Sequence, residues 1–109
     1  MIKYFIYCRK SSEEEERQIL SIEAQLTELR EYAKQQGLFI VREFAESQSA
    51  KAPGRPIFNQ MVAELEQGNA QGIVAWNPDR LARNSIDGGR IVYLVDTGAI
   101  QSLKFPTHW

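Results

Sequence analysis

A chain of 109 residues that is 43% hydrophobic and 25% charged has the size and make-up of one globular domain. No stretch nears the roughly 20 apolar residues that span a bilayer, and the opening MIKYFIYCRK is too short and polar for a signal peptide, so a cytoplasmic location and no membrane partner are expected. The formal net charge of −1 argues against a free-standing DNA-binding domain, because neutralising phosphates supplies most of the affinity of such domains.

Residues 2–8 are apolar except for Lys3. That pattern predicts a strand buried on both faces, as in a parallel sheet. Cys8, the only cysteine, falls in this run, where it reads as a small buried residue. One Cys and one His, His108 at the far end, argue against a disulfide, a zinc site or a Cys/His nucleophile. A polar stretch with four consecutive glutamates, Glu13 to Glu16, comes next.

A helix is predicted over 21–36, with Ile22, Leu26, Leu29 and Ala33 on one face, Ser21 as cap and Gly37 as terminator. A second strand is expected over 38–44, carrying Phe39, Ile40, Val41 and Phe44, and a polar loop over 46–54. The second helix, 56–67, opens on Pro56, presents Phe58, Met61, Val62 and Leu65, and stops at Gly68. A short third strand over 72–76 is closed off by Pro78. The third helix, 85–97, offers Ile86, Ile91, Leu94 and Val95 to the core and ends at Gly98, although Gly88 and Gly89 weaken it. A last strand is expected over 100–105. The order β-α-β-α-β-α-β predicts an α/β fold: three layers, with a mostly parallel sheet of about four strands and helices on both faces.

Ligands of open α/β sheets gather at the carboxyl ends of the strands. Arg9, Ser11 and Ser12 follow the first strand. Glu46, Ser49 and Arg55 follow the second, and Asp79, Arg80 and Arg83 follow the third. Guanidinium groups match phosphate oxygens by paired hydrogen bonds and keep their charge. Beside a hydroxyl nucleophile they suit phosphoryl transfer, where positioning and charge stabilisation supply most of the rate. There is no Gly-rich Walker loop and no cluster of metal ligands in the sequence, so neither cofactor nor metal is expected. Each residue also has a plain structural reading. Ser12 with Glu15 forms a capping-box pattern, Asp79 with Arg80 or Arg83 would serve as a surface ion pair, and Arg55 as a charge at a helix start.

The strings themselves are informative. Tyr7-Cys8-Arg9-Lys10-Ser11-Ser12 resembles the aromatic-x-Arg-x-Ser signature of serine site-specific recombinases, the resolvase/invertase family. Arg17-Gln18 and Ser21-Ile22-Glu23-Ala24-Gln25 resemble the Arg-Gln and Ser-Ile-x-x-Gln of its large, mobile-element members. Arg55-Pro56 resembles the Arg-Pro that opens the second helix, and Asp79-Arg80-Leu81-Ala82-Arg83 the Asp-Arg-Leu-x-Arg motif. The resemblance spans nearly the whole chain, in order and spacing.

The resemblance implies a resolvase-like fold and a catalytic domain that cleaves and rejoins DNA. Ser11 would form a 5′-phosphoserine link without metal or external energy source. Arg9, Arg80 and Arg83 would stabilise the phosphate, with Arg55 assisting. Asp79 would orient the arginines or take part in proton transfer. Gln25, Ser49, Glu46 and Ser12 would support them. Two positions depart from the family pattern: Ala50 stands where glycine is common, and Glu46 where Asp is. The family continues into a long dimerisation helix and a DNA-binding region, so residues 1–109 are expected to be an N-terminal catalytic domain cut short. DNA would be held through the missing region, and the full-length protein would form dimers and tetramers, so residues 1–109 alone are expected to be inactive in recombination. The alternatives are an inactive remnant that binds a full-length partner and a flavodoxin-like phosphate-binding protein.

Overall fold

In the computed structural model, which describes residues 1–10, 21–47 and 53–106, the apolar opening run forms β1 (Lys3–Arg9), one residue later than the hydrophobic pattern alone suggests. Then follow α1 (Ile22–Gln36), β2 (Phe39–Glu46), α2 (Pro56–Glu66), β3 (Gly72–Ala75), α3 (Pro78–Leu81), α4 (Ser85–Thr97) and β4 (Ser102–Lys104). The strands make one sheet in the order β2-β1-β3-β4. Every pairing is parallel, and β1 lies between β2 and β3. The α/β sheet of four strands expected from the sequence is therefore present.

The period of two along β1 divides the core. Tyr4, Ile6 and Cys8 face one layer, with Leu29 of α1 and Val74 of β3. Phe5 and Tyr7 face the other, with Phe58, Met61, Val62 and Leu65 of α2 and Ile91 and Leu94 of α4. The three expected helix stops hold: α1 ends on Gly37 at φ 68° and α4 on Gly98 at φ 87°, and Gly68, at φ 85°, follows the Gln67 cap of α2, left-handed conformations that glycine adopts without a Cβ clash. Ser21 caps α1 by accepting the Ala24 N–H at 3.1 Å.

Four expectations need correcting. Ile86 and Val95, offered to the core by the spacing, are exposed, and the inward stripe of α4 is Asp87, Ile91 and Leu94. This stripe too has helical i, i+4, i+7 spacing, but its first member is a carboxylate. Phe39 and Val41 are 48% and 39% exposed because β2 is an edge strand with one neighbour. Glu46 belongs to β2, not to a loop. The segment after β3 contains a helical turn, α3, which starts at Asn77 because its side chain accepts the Arg80 N–H at 3.0 Å.

Two stability tests follow from β1 and its neighbour. A Cβ built on Gly72 would lie 2.5 Å from two atoms of the Tyr4 ring, and Tyr4 is anchored by its hydroxyl to Ser102 Oγ at 2.9 Å. Gly72→Ala is expected to lower stability by about 1–3 kcal/mol, as overpacking does, measured by urea unfolding. Burial, with Glu43 adding to it, pushes the Cys8 thiol up to about 12 from an ordinary 9.0. The folded state binds this proton more tightly than the unfolded chain. Its contribution is therefore complete below pH 9 and is lost as the pH rises toward 12. Between pH 9 and 10 the slope is expected to approach 1.4 kcal/mol per pH unit. Cys8→Ala should flatten the unfolding free energy over that interval.

Candidate active site

Two polar clusters are buried side by side at the carboxyl end of β1. The first surrounds Arg9, whose side chain is fully buried. β3 pairs with β1 only as far as Tyr7↔Ala75, so beyond it the backbone of Arg9 has no strand neighbour on that side. The side-chain amide of Gln25 from α1 takes that place. Its Nε2 donates to the Arg9 carbonyl at 3.0 Å, and its Oε1 accepts the Arg9 N–H at 3.4 Å. Buried backbone groups need such partners. An Nη of Arg80 also donates to the Arg9 carbonyl, at 3.3 Å. The Arg9 guanidinium reaches back, donating from Nε to the Arg80 carbonyl at 3.1 Å and from an Nη to the Asp79 carbonyl at 3.4 Å. Arg9 and the α3 turn thus fix one another, and Gln25 joins them to α1.

The second cluster is centred on Arg55, which is 1% exposed at the position preceding α2. One Nη donates to the Tyr7 hydroxyl at 2.9 Å, and the other to Asp87 Oδ2 at 3.0 Å. Its guanidinium carbon stands 4.0 Å from the Phe58 ring centroid. Arg55 provides no side-chain cap for α2. Glu46 does so from the end of β2: Oε2 accepts the Ile57 N–H and Oε1 the Phe58 N–H, each at 2.9 Å. A carboxylate at a helix N-terminus meets free N–H groups and the positive end of the dipole. Oε1 also accepts the Tyr7 hydroxyl at 2.6 Å. Burial and then the hydrogen bond to Glu46 raise the Tyr7 phenol well above its ordinary range, so it stays protonated. Glu46→Gln keeps one acceptor oxygen and turns the other into a donor. It should cost about 1–2 kcal/mol, as a mispaired buried group does, read from the thermal midpoint.

The structure thus brings Arg9, Gln25 and Arg80 together, and separately Arg55 and Glu46. The side chains of Asp79 and Arg83 are exposed. Ser11, Ser12 and Ser49 lie outside the described residues. Lys10, which precedes Ser11 in the chain, donates its N–H to the Glu46 carbonyl at 3.0 Å. Sequence reasoning missed Asp87 and Asn84. Asn84 caps α4 by accepting the Asp87 N–H at 2.8 Å, and its Nδ2 donates to Asp87 Oδ2 at 2.9 Å. The available signal was an acid at the inward helical position four before Ile91. Among the described residues no group of three or more His, Cys, Asp or Glu side chains could hold a metal, and no helix is long and apolar enough to cross a membrane.

Comparison with known proteins agrees with this fold. The family described as Resolvase, N terminal domain, matches residues 4–101. The C-terminal catalytic domain of ISC1926 TnpA, an IS607-like serine recombinase, superposes with a TM-score of 0.77 at 22% identity, over 95% of this chain and 70% of that one. The N-terminal catalytic domain of TP901-1 integrase gives 0.75 at 23% identity, over 96% and 78%. A resolvase family site-specific recombinase from Streptococcus pneumoniae gives 0.74 at 23% identity, over 98% and 74%. A search of curated protein sequences found no significant match.

Proposed function

This chain belongs to the resolvase N-terminal domain family, and we propose that it is the catalytic domain of a serine recombinase that acts through a covalent link between Ser11 and DNA. The observation that carries the reading is the Arg9–Gln25–Arg80 cluster at the carboxyl end of β1. It fixes two guanidinium side chains at the end of the strand that precedes Ser11, which follows Arg9 by two residues in the sequence. Arginines held in place before the substrate arrives need no reorganisation as charge develops on a phosphate.

In this reading the Ser11 hydroxyl oxygen attacks a backbone phosphorus. An O–P bond forms to serine, the bond from phosphorus to the 3′-oxygen breaks, and the serine proton ends on the departing 3′-hydroxyl. In rejoining, a 3′-hydroxyl attacks the phosphoserine and the serine recovers its proton. One phosphodiester is exchanged for another at each step, which balances the reaction. Arg9, Arg80 and the exposed Arg83 would share the negative charge of the five-coordinate phosphorus. Arg55 would assist, and Asp79 would orient them or pass a proton. Gln25 would hold Arg9, and Glu46 would hold the start of α2, with Ser12 and Ser49 in support. DNA is the expected partner, and dimers or tetramers the expected assembly of a full-length enzyme.

The test is capture of the covalent intermediate. The chain, joined to the downstream region through which DNA would be held, is expressed in cells carrying a plasmid library of random DNA sites, lysed in denaturant and recovered by an affinity tag. Tightly bound but unlinked DNA is lost, and linked DNA stays. The expectation is DNA joined to protein through its 5′ ends, with free 3′-hydroxyls at the breaks. Linkage through 3′ ends, or no linked DNA from wild-type protein, would remove the reading.

A further inference from the structure

Asp87 has no part in the chemistry above, yet it is fully buried and touches the one buried candidate arginine that the Arg9 cluster does not include. We propose that Asp87 is a positioning residue that acts through Arg55, a role that rests on the recombinase reading of Arg55. Three contacts determine where the Arg55 guanidinium lies and how its plane is turned. Asp87 Oδ2 accepts from one Nη, the Tyr7 hydroxyl accepts from the other, and the Phe58 ring packs against the central carbon. Of these, only Asp87 brings opposite charge, and a carboxylate–guanidinium contact sets direction more strictly than a neutral one.

Asp87 is itself held in place. Its carboxylate accepts from Asn84 Nδ2, and its N–H donates to Asn84 Oδ1, so the first turn of α4 is tied at both groups. Asn84 directly follows Arg83. The Asn84–Asp87 unit therefore joins the segment that carries Arg80 and Arg83 to Arg55 at the start of α2. Arg55 Nε and Asp87 Oδ1 have no hydrogen-bond partner among the described residues. The nearest second cation is an Nη of Arg90, 4.0 Å from Oδ1. A pair kept in the interior with hydrogen-bonding capacity to spare is a poor device for stability alone. It is a good one for holding a guanidinium whose remaining N–H groups are needed elsewhere.

Two measurements test this, and the first requires no DNA. In protein labelled with 15N-arginine, held Nη–H groups rotate slowly and give separate resonances, assigned to Arg55 by their loss in Arg55→Lys. Asp87→Asn should abolish them while leaving those of Arg9. Asn84→Ser, which keeps a capping oxygen, should weaken them and serves if Asp87→Asn does not fold. Resonances of Arg55 unchanged in the folded variants would overturn the proposal.

The second measurement is the rate of DNA adduct formation. Asp87→Asn should slow it on the order of 100-fold, the scale of a misplaced reacting group, and Asp87→Glu should restore part of the rate. In an Arg55→Lys background, Asp87→Asn should slow it no further. An equal additional loss in that background would mean that Asp87 does not act through Arg55. Failure of wild-type protein to form any adduct would instead remove the recombinase reading, and the resonance measurement would still decide whether Asp87 holds Arg55.

Discussion

Arg55→Met should destabilise the fold by about 3–5 kcal/mol, the cost of leaving a buried charge without its partner. The size follows from what surrounds the side chain. Asp87 faces Arg55 from α4 and Glu46 closes the same network from β2, with the Tyr7 hydroxyl between Arg55 and Glu46. Methionine fills similar volume but leaves the Asp87 carboxylate with Asn84 and the more distant Arg90. Replacing both members should be less damaging than replacing one, because the uncompensated charge goes with the second substitution. The double variant Arg55→Met, Asp87→Leu is therefore expected to recover part of the loss, although it strands Asn84 Nδ2. Urea unfolding of the two single variants and the double one measures this as a coupling energy. Strict additivity would show that the contact contributes nothing of its own.

Arg9→Lys should slow DNA adduct formation by about 10²–10³-fold, the range found when one preorganised donor is removed from a transition state. The Arg9 guanidinium donates from two nitrogens to two successive carbonyls of the α3 turn. Lysine keeps the charge but offers a point instead of a fork. It can satisfy one carbonyl or the other, and in doing so it releases the turn that carries Arg80 and leads to Arg83. The loss should therefore appear in the rate with saturating DNA, more than in the amount of DNA needed for half the rate. A variant that keeps its rate and binds DNA more weakly would place Arg9 in binding instead.

Much of this was legible in the sequence. The parallel sheet follows from the apolar runs Tyr4–Cys8 of β1 and Gly72–Ala75 of β3, which suit strands buried on both faces. The grouping of Arg9 with Arg80 follows from where those strands end. What was not legible is the assignment of polar residues to the interior. Gln25 lies within the amphipathic pattern of α1, yet it is fully buried while Ile22 and Leu26 are partly covered. The reason is long-range: Arg9 needs backbone partners where β3 stops, and no local pattern records that need. Arg55 and Asp87 are hidden for the same reason, since each justifies the burial of the other from separate helices. Apolar spacing alone points Ile86 and Val95 inward, because it takes no account of the acid that displaces them.

The nucleophile is the point on which the account depends. After adduct capture, nuclease digestion should leave a single nucleotide on the protein, and mass spectrometry of its peptides locates the attachment. The account predicts a nucleoside 5′-phosphate on Ser11, absent from Ser11→Ala and retained in Ser12→Ala. Attachment to Ser12, to Ser49 or to a tyrosine would contradict it.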